Sequence, residues 1–349
     1  MEKGIHTHNE IFSQPEAWAQ ALDVVAQARP RLQALLSAAY DQVLFTGCGS
    51  TYYLSLAAAA LFQELTGRLA RAVPGGELLL NPQTALAGSG KTLLVAVSRS
   101  GSTTETVRAV EQFKQHKRGP VLAITNYAEK PLAGLADLAI VIDKGQEQSV
   151  AQTRSFASMY VAAAALAAVA AGDENLLQAL AGLPEVGRKL LAAGESLARQ
   201  FGEYGRSEAA LAFDRYYFLG SGARYGLACE VNLKLKEMTL THSEPFHFLE
   251  FRHGPMSMVT ASTVVVGLLS ERNFKHESAV LQEMQAKGSR ILTLAETGAM
   301  LSFDSGIPES GCGVLYLPVL QLMAFYRSLA KGLDPDRPHN LSAVIQLDL

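Results

Sequence analysis

The sequence predicts an α/β protein of two tandem, doubly wound parallel-sheet domains with a helical N-terminal arm. Three observations carry that expectation. Four apolar, strand-like runs occur in the same order in each half of the 349 residues. Helical patterns alternate with these runs. Landmarks in the two halves also keep a nearly constant offset: Gly47 and Gly220 lie 173 residues apart, Ser98 and Ser270 172 apart. A fixed offset at independent landmarks marks an internal repeat. Continuous apolar strands alternating with helices imply parallel sheets covered on both faces.

Residues 1–34 read as the helical arm. The first half, residues 35–171, contributes QVLFTGCGST, TLLVAVSRSG, PVLAITN and LAIVID, with helical patterns from Tyr52 to Thr66 and from Thr103 to His116. Residues 172–207, rich in Leu, Ala and Glu, read as a helical connection. The second half, residues 208–349, contributes YYFLGSGAR, TVVVGLLSE, RILTLAET and VLYLP as strands. Its helical patterns run from Tyr225 to Thr241 and from His276 to Lys287, and a C-terminal tail closes the chain. The most apolar stretch, Met159 to Ala171, is alanine-dominated and ends at Gly172. It falls short of the roughly 20 apolar residues a bilayer span needs and reads as a buried helix.

Composition narrows the function. A hydrophobic content of 48% supports a large core and two domains. With 30 basic and 33 acidic residues the net charge is -3, so nothing electrostatic points to nucleic acid or an anionic membrane as partner. A phosphate would have to be held locally, by backbone and hydroxyls. The cysteines Cys48, Cys229 and Cys312 are widely spaced, with no CxxC, which argues against a disulfide framework or zinc site and points to a reducing cytoplasm. No His/Cys/carboxylate set has metal-ligand spacing, and the N-terminal MEKGIHTHNEIFSQP has no apolar signal core.

In doubly wound sheets, ligands bind at the carboxyl ends of the strands. Two loops there stand out. Ser98-Arg99-Ser100-Gly101-Ser102-Thr103 follows a strand and opens a helix, where free N–H groups and the helix dipole suit a phosphate. A plain Ser/Thr helix cap would use the same residues. Gly47-Cys48-Gly49-Ser50-Thr51 is a tight strand-to-helix turn that is neither a Walker A loop nor a full dinucleotide fingerprint, and its repeat copy is Gly220-Ser221-Gly222-Ala223-Arg224. Simple turn geometry explains these glycines equally well. On the helical stretch from Tyr225, Glu230, Lys234 and Glu237 are spaced as a salt-bridge ladder. Downstream, Glu250-Phe251-Arg252-His253-Gly254-Pro255 places a histidine in a loop, where it could shuttle protons. His242 and His247 stay unassigned; the other histidines singled out, His6, His8, His116 and His276, read as structural or exposed.

Taken together, these motifs resemble the sugar isomerase (SIS) double-domain family: the isomerase half of glucosamine-6-phosphate synthase and stand-alone glucosamine-6-phosphate deaminases of that fold. The resemblance runs from Glu10-Ile11-Phe12-Ser13-Gln14-Pro15 through GCGST, SRSGSTTET, SVAQTRSF, Leu233-Lys234-Leu235-Lys236-Glu237 and RHGP to Asp334-Pro335-Asp336-Arg337-Pro338-His339-Asn340-Leu341. It implies two flavodoxin-like three-layer sandwiches. It further implies phosphate-binding hydroxyls at Ser98, Ser100 and Thr103, a second sugar-binding loop at Gly49, Ser50 and Thr51, and a substrate-lining Val150. Glu237 matches the family's base for proton transfer between C1 and C2, Lys234 a supporting lysine, and His253 the ring-opening histidine that reaches in from the other subunit of a homodimer. No cofactor or metal is implied. A C1–C2 proton transfer needs one base at the carbons and one acid at the ring oxygen, which is what this set offers.

Three departures shape the expected activity. Residue 2 is Glu rather than a nucleophilic Cys, and the chain is too short for a glutaminase, so glutamine is not expected to supply ammonia. Ala343 stands where the synthase has its imine-forming lysine, and alanine cannot form an imine. Arg99 replaces an uncharged residue and could add a bidentate phosphate partner. The expectation is a cytoplasmic deaminase/isomerase acting on a phosphorylated amino sugar or ketose. Aldose–ketose isomerisation of a hexose 6-phosphate, cleavage of a sugar-phosphate–amino-acid adduct and a non-catalytic sensor are the alternatives.

Overall fold

Two all-parallel five-stranded sheets organise the computed structural model, which describes residues 3–86, 90–203, 213–345 and 347. α1 (Ile5–Phe12) and α2 (Gln14–Leu36) come first. β1 (Gln42–Gly47), α3 (Ser50–Thr66), β2 (Ala70–Pro74), α4 (Gly75–Leu80), α5 (Pro82–Ala85) and β3 (Thr92–Ser98) follow. α6 (Thr104–Gln115), β4 (Val121–Thr125), α7 (Pro131–Leu135) and β5 (Leu138–Val141) complete the first sheet. α8 (Arg154–Ala171), α9 (Glu174–Leu180) and α10 (Leu183–Gly202) lead to β6 (Arg215–Leu219), α11 (Ala223–Thr239) and β7 (His242–Phe246). β8 (Thr263–Leu268), α12 (Phe274–Ala286), β9 (Arg290–Ala295), β10 (Leu301–Ser302) and α13 (Leu317–Ala330) end the second half.

The strand orders are β2-β1-β3-β4-β5 and β10-β9-β8-β6-β7. Counted within each half, both are 2-1-3-4-5, so the repeat is a repeat of topology. Strands β1, β3, β4 and β8 are buried along their whole length, which is why their sequences are apolar throughout rather than alternating. In both halves the winding reverses between the first and third strands, and their carboxyl ends open the crevice where such sheets bind ligands.

The structure corrects one strand. VLYLP is helical: a 3₁₀ turn at Cys312–Tyr316 runs directly into α13. A short apolar run does not distinguish a buried strand from a buried helix, and Pro318 sits in the first turn of α13, where its missing N–H costs nothing. The last strand of that sheet is instead the two-residue β10, paired with β9. Strands β2 and β7 are not apparent in the sequence because ARAVP and HSEPF carry charge and proline, which edge strands tolerate. The apolar helix also extends further than Met159–Ala171. By length and composition Arg154–Ala171 and Cys312–Ala330 could each cross a membrane, but 83% and 94% of these windows are buried, as befits core helices.

The chain divides into two compact units. The first sheet lies in Ser13–Glu147, Gln152–Pro184 and Ser342–Leu349, the second in Met1–Phe12, Gln148–Ala151 and Glu185–Leu341. In the first-sheet unit α2 packs along α8, burying Trp18, Ala21 and Val25, while Leu44, Leu94, Val110 and Phe113 form a core cluster. In the second-sheet unit Tyr217, Val265, Val280 and Met284 do so. Arg327 on α13 ties that helix to the sheet, donating to Thr241 Oγ1 at 2.9 Å and to the Tyr216 hydroxyl at 3.1 Å. Burial pushes that hydroxyl up to about 12.

The Asp336 carboxylate caps α1 from the far end of the sequence. Its Oδ1 accepts from the Thr7 N–H and hydroxyl, both at 2.7 Å, and its Oδ2 from the His6 N–H at 3.1 Å. Asp336→Ala strips these acceptors from the first turn and is expected to cost about 1–3 kcal/mol. Scanning calorimetry should register a lower unfolding midpoint; an unchanged one would mean that α1 is held without the cap.

Candidate active site

Both halves build the same strand-to-helix turn. Gly49, before α3, has φ 57° and ψ −124°; Gly222, before α11, has φ 59° and ψ −135°. Only glycine occupies this region without strain. Gly47 and Gly220 are required for a different reason: a Cβ would lie 2.7 Å from the Thr51 carbonyl oxygen or 2.4 Å from that of Arg224. A Cβ at Gly49 or Gly222 would meet nothing within 4 Å, so each turn leaves open space above its second glycine. Thr51 is buried and its Oγ1 locks the turn, accepting from the Cys48 N–H at 2.9 Å and donating to the Cys48 carbonyl at 3.0 Å. Ser50 is buried beside it.

The Ser98–Thr103 loop joins β3 to α6. Thr103 is the N-cap, and its Oγ1 lies 3.5 Å from both Ser98 Oγ and Ser100 Oγ. Three hydroxyls therefore converge at the positive end of a twelve-residue helix. Ser98 Oγ accepts the Gly101 N–H at 3.1 Å, and Gly101, at φ 62°, makes the reversal. Arg99 is buried with its carbonyl accepting the Asn126 N–H at 3.3 Å. Its guanidinium faces Glu147 at 3.4 Å and donates to the Ala343 carbonyl at 2.9 Å. Loop and tail meet again where the Thr104 N–H donates to the Ile345 carbonyl at 3.4 Å.

The counterpart loop of the second half starts alike: the Asn273 N–H donates to Ser270 Oγ at 3.0 Å. There, however, a carboxylate is already seated. Glu277 Oε2 accepts from the Ser270 N–H at 2.6 Å and from its hydroxyl at 3.0 Å. Burial pushes the Glu277 carboxyl above its ordinary value, against the pull of the Ser270 N–H and of Arg224. The donors that a ligand would use in this loop are thus engaged by the chain itself.

In the second-sheet unit, α11 carries a buried ionic triad. Lys234 Nζ lies 3.4 Å from Glu230 Oε1 and 2.5 Å from Glu237 Oε2. Glu230 and Lys234 side chains are 0% and 1% exposed, whereas Glu237 is 19% exposed, so it is the carboxylate of the three that solvent can reach. The i, i+3 and i, i+4 spacings that read as a surface ladder are in fact a packed interior array. His253 stands elsewhere, exposed on the turn after a 3₁₀ segment, with Gly254 at φ 124° behind it. Val150 belongs to a short segment held by backbone: its N–H donates to the Asp336 carbonyl at 3.1 Å, and Glu10 accepts the N–H of Gln148 at 2.6 Å.

The SIS domain family model matches residues 35–169 and 213–300. The chain belongs to the SIS domain family. A glutamine–fructose-6-phosphate aminotransferase (isomerizing) of Aeropyrum pernix is 28% identical over 361 aligned residues, covering 97% of this chain and 57% of that protein. The chain thus spans less than two thirds of the length of such relatives. Among solved structures, the tagatose-6-phosphate ketose/aldose isomerase of Escherichia coli superposes with a TM-score of 0.84 at 25% identity, covering 95% of each chain. The glucosamine-6-phosphate deaminase of Thermotoga maritima does so with 0.77 at 25% identity, covering 94% of this chain and 100% of that one.

Within this SIS chain, the remaining candidates have structural surroundings. Burial pushes the Cys48 thiol up, Cys229 to about 11 and Cys312 to about 12, so none has the thiolate character of a nucleophile. His247 stacks on Tyr225 at 3.9 Å, and burial lowers its pKa; His242 lies exposed on β7. A cavity of about 350 Å³ lined by Leu78, Phe113, His116 and Arg118 sits by the C-terminal end of α6, away from the serine loop at its start. Among the described residues no group of three or more His, Cys, Asp or Glu could hold a metal ion. The residue that sequence reasoning passed over is Glu147; its one signal was an acid shortly before a Thr-Arg-Ser helix start.

Gly49→Ala and Gly222→Ala impose the same backbone strain, of order 1–3 kcal/mol, and should depress the thermal midpoint to a similar degree. Affinity for a hexose 6-phosphate, measured by calorimetry, should fall with Gly49→Ala and hold with Gly222→Ala. Equal losses would mean that the two turns are not functionally distinct.

Proposed function

We propose that this chain is an amino-sugar-phosphate deaminase/isomerase that converts glucosamine 6-phosphate and water to fructose 6-phosphate and ammonia. In this reading residues 35–171 and 208–349 are the two SIS domains, joined by residues 172–207. The observation that carries it is the α11 array: a solvent-reachable Glu237 backed by the buried Lys234 and Glu230. A base that moves a proton between adjacent carbons must be accessible, fixed and able to return the same proton. Glu237 is reachable by solvent and held at 2.5 Å by Lys234, which supports that role.

The roles follow the chemistry. Ser98, Ser100 and Thr103 hold the phosphate and so fix the carbon chain. His253, contributed by a second copy in a homodimer, protonates the ring oxygen and opens the ring. Its exposure on its own chain leaves it available for that part. Glu237 takes the proton from C2, leaving an enaminol, and delivers it to C1. The resulting C2 imine is hydrolysed by water, releasing ammonia and leaving the ketose. Ala343 offers no amine, so this route needs no imine to the protein. Gly49 and Ser50 line the sugar.

A second reading has a specific support: the E. coli tagatose-6-phosphate isomerase superposes with a higher TM-score than the T. maritima deaminase. Aldose–ketose isomerisation uses the same proton transfer with a hydroxyl at C2. Ammonia and fructose 6-phosphate are to be assayed together from glucosamine 6-phosphate. Equal yields, with Glu237→Gln lowering kcat by roughly 10²–10⁴, are expected. No turnover of glucosamine 6-phosphate, but turnover of tagatose 6-phosphate, would replace deamination by isomerisation. Silence on both and on sugar-phosphate–amino-acid adducts, with the sugar phosphates still bound, would favour a sensor.

A further inference from the structure

Glu147 has a side chain with no exposed surface, yet it is fully engaged. Its Oε1 accepts from the Thr153 N–H at 2.8 Å, the Thr153 hydroxyl at 3.1 Å and the Ser155 N–H at 3.0 Å. Its Oε2 accepts from the Ser155 hydroxyl at 2.5 Å and faces Arg99 Nη1 at 3.4 Å. Four of these donors belong to the start of α8, where the helix dipole favours a negative charge. The carboxylate is therefore immobile: moving it would strand two buried N–H groups and an anion.

That immobility is transmitted to Arg99. An arginine side chain is rich in rotamers, so holding its guanidinium in one place requires partners. Here it is gripped on two sides, by Glu147 and by the Ala343 carbonyl. The tail contributes a backbone oxygen, so this grip does not depend on the side chain at position 343. The result is a buried cation of the Ser98–Thr103 loop held in place before any ligand arrives. Pre-set donors bind an anion more tightly than donors that must first be ordered.

We infer that Glu147 is a positioning residue of the phosphate subsite, acting through Arg99; this rests on reading the Ser98–Thr103 loop as that subsite. A role confined to holding α8 would also make Glu147 important for stability. The two roles separate in a double-mutant cycle. Dissociation constants for glucosamine 6-phosphate and for inorganic phosphate are measured by calorimetry on the full chain, for the wild type, Arg99→Gln, Glu147→Gln and the double variant. Each single variant is expected to bind both ligands about tenfold more weakly. The double variant should match Arg99→Gln within about threefold, because Glu147 has nothing left to position. Losses that multiply, or wild-type affinity in Glu147→Gln, would overturn the inference. Arg99→Lys provides a test that leaves Glu147 and α8 untouched. It keeps the charge but replaces the rigid planar fork by a single ammonium on a flexible stem, and it should bind as poorly as Arg99→Gln; wild-type affinity would again overturn the inference. If the wild type binds neither ligand, the phosphate reading of the loop fails and the inference fails with it.

Discussion

Parallel pairing is the constraint on which the rest of this molecule depends. Every strand pair in both sheets is parallel, so every return between paired strands is a crossover, and most of these crossovers are built on helices. All carboxyl ends of a sheet's strands then lie on one edge, and the loops that leave them are neighbours. The shared order 2-1-3-4-5 puts the turn after the first strand beside the loop after the third. Gly49 and the Ser98–Thr103 loop adjoin for that reason, as do Gly222 and Ser270 in the other half.

Within this frame, buried carboxylates set the loops. Asp336 caps α1, Glu10 holds the segment before Val150, Glu147 spans Arg99 and the start of α8, and Glu277 fills the loop at Ser270. Each is an acceptor-only group brought from a distant or separate element to backbone N–H groups that the local chain leaves open. A carboxylate is costly to bury unless fully bonded. Asp336, Glu10 and Glu147 thus make the geometry of their loops nearly all-or-none, which suits a site that must hold a small ligand in register. The same device distinguishes the two halves. In the first the Ser98, Ser100 and Thr103 hydroxyls gather at the helix start, and in the second Glu277 has taken the Ser270 donors.

Much of the scaffold was legible in the sequence. The apolar runs at Gln42–Gly47, Thr92–Ser98, Val121–Thr125 and Thr263–Leu268 are central strands, and burial on both faces leaves such strands no other composition. The paired glycines were legible because the backbone angle at the second of each pair and close backbone approach at the first admit nothing else. The edge strands β2 and β7 were not, since an edge makes weaker demands on side chains and tolerates proline. VLYLP misled because a buried helix and a buried strand look the same over five residues. Lys234 and Glu237 were visible as a spacing, but the spacing fits an exposed ladder as well as the buried triad that forms.

The sequence by itself determined what depends on neighbours in the chain: the alternation of strand and helix, the repeat, the glycine turns and the serine-rich helix start. Those features are fixed by steric limits and by periodicities of two and 3.6 residues. The tertiary structure decided what depends on contacts between distant residues. It set Glu147 against Arg99, 48 positions away, and Asp336 against Thr7, 329 away. It left Glu237 reachable while closing Glu230 away. No local pattern encodes such partnerships, because a carboxylate's partner is chosen by which donors the fold leaves buried and unpaired.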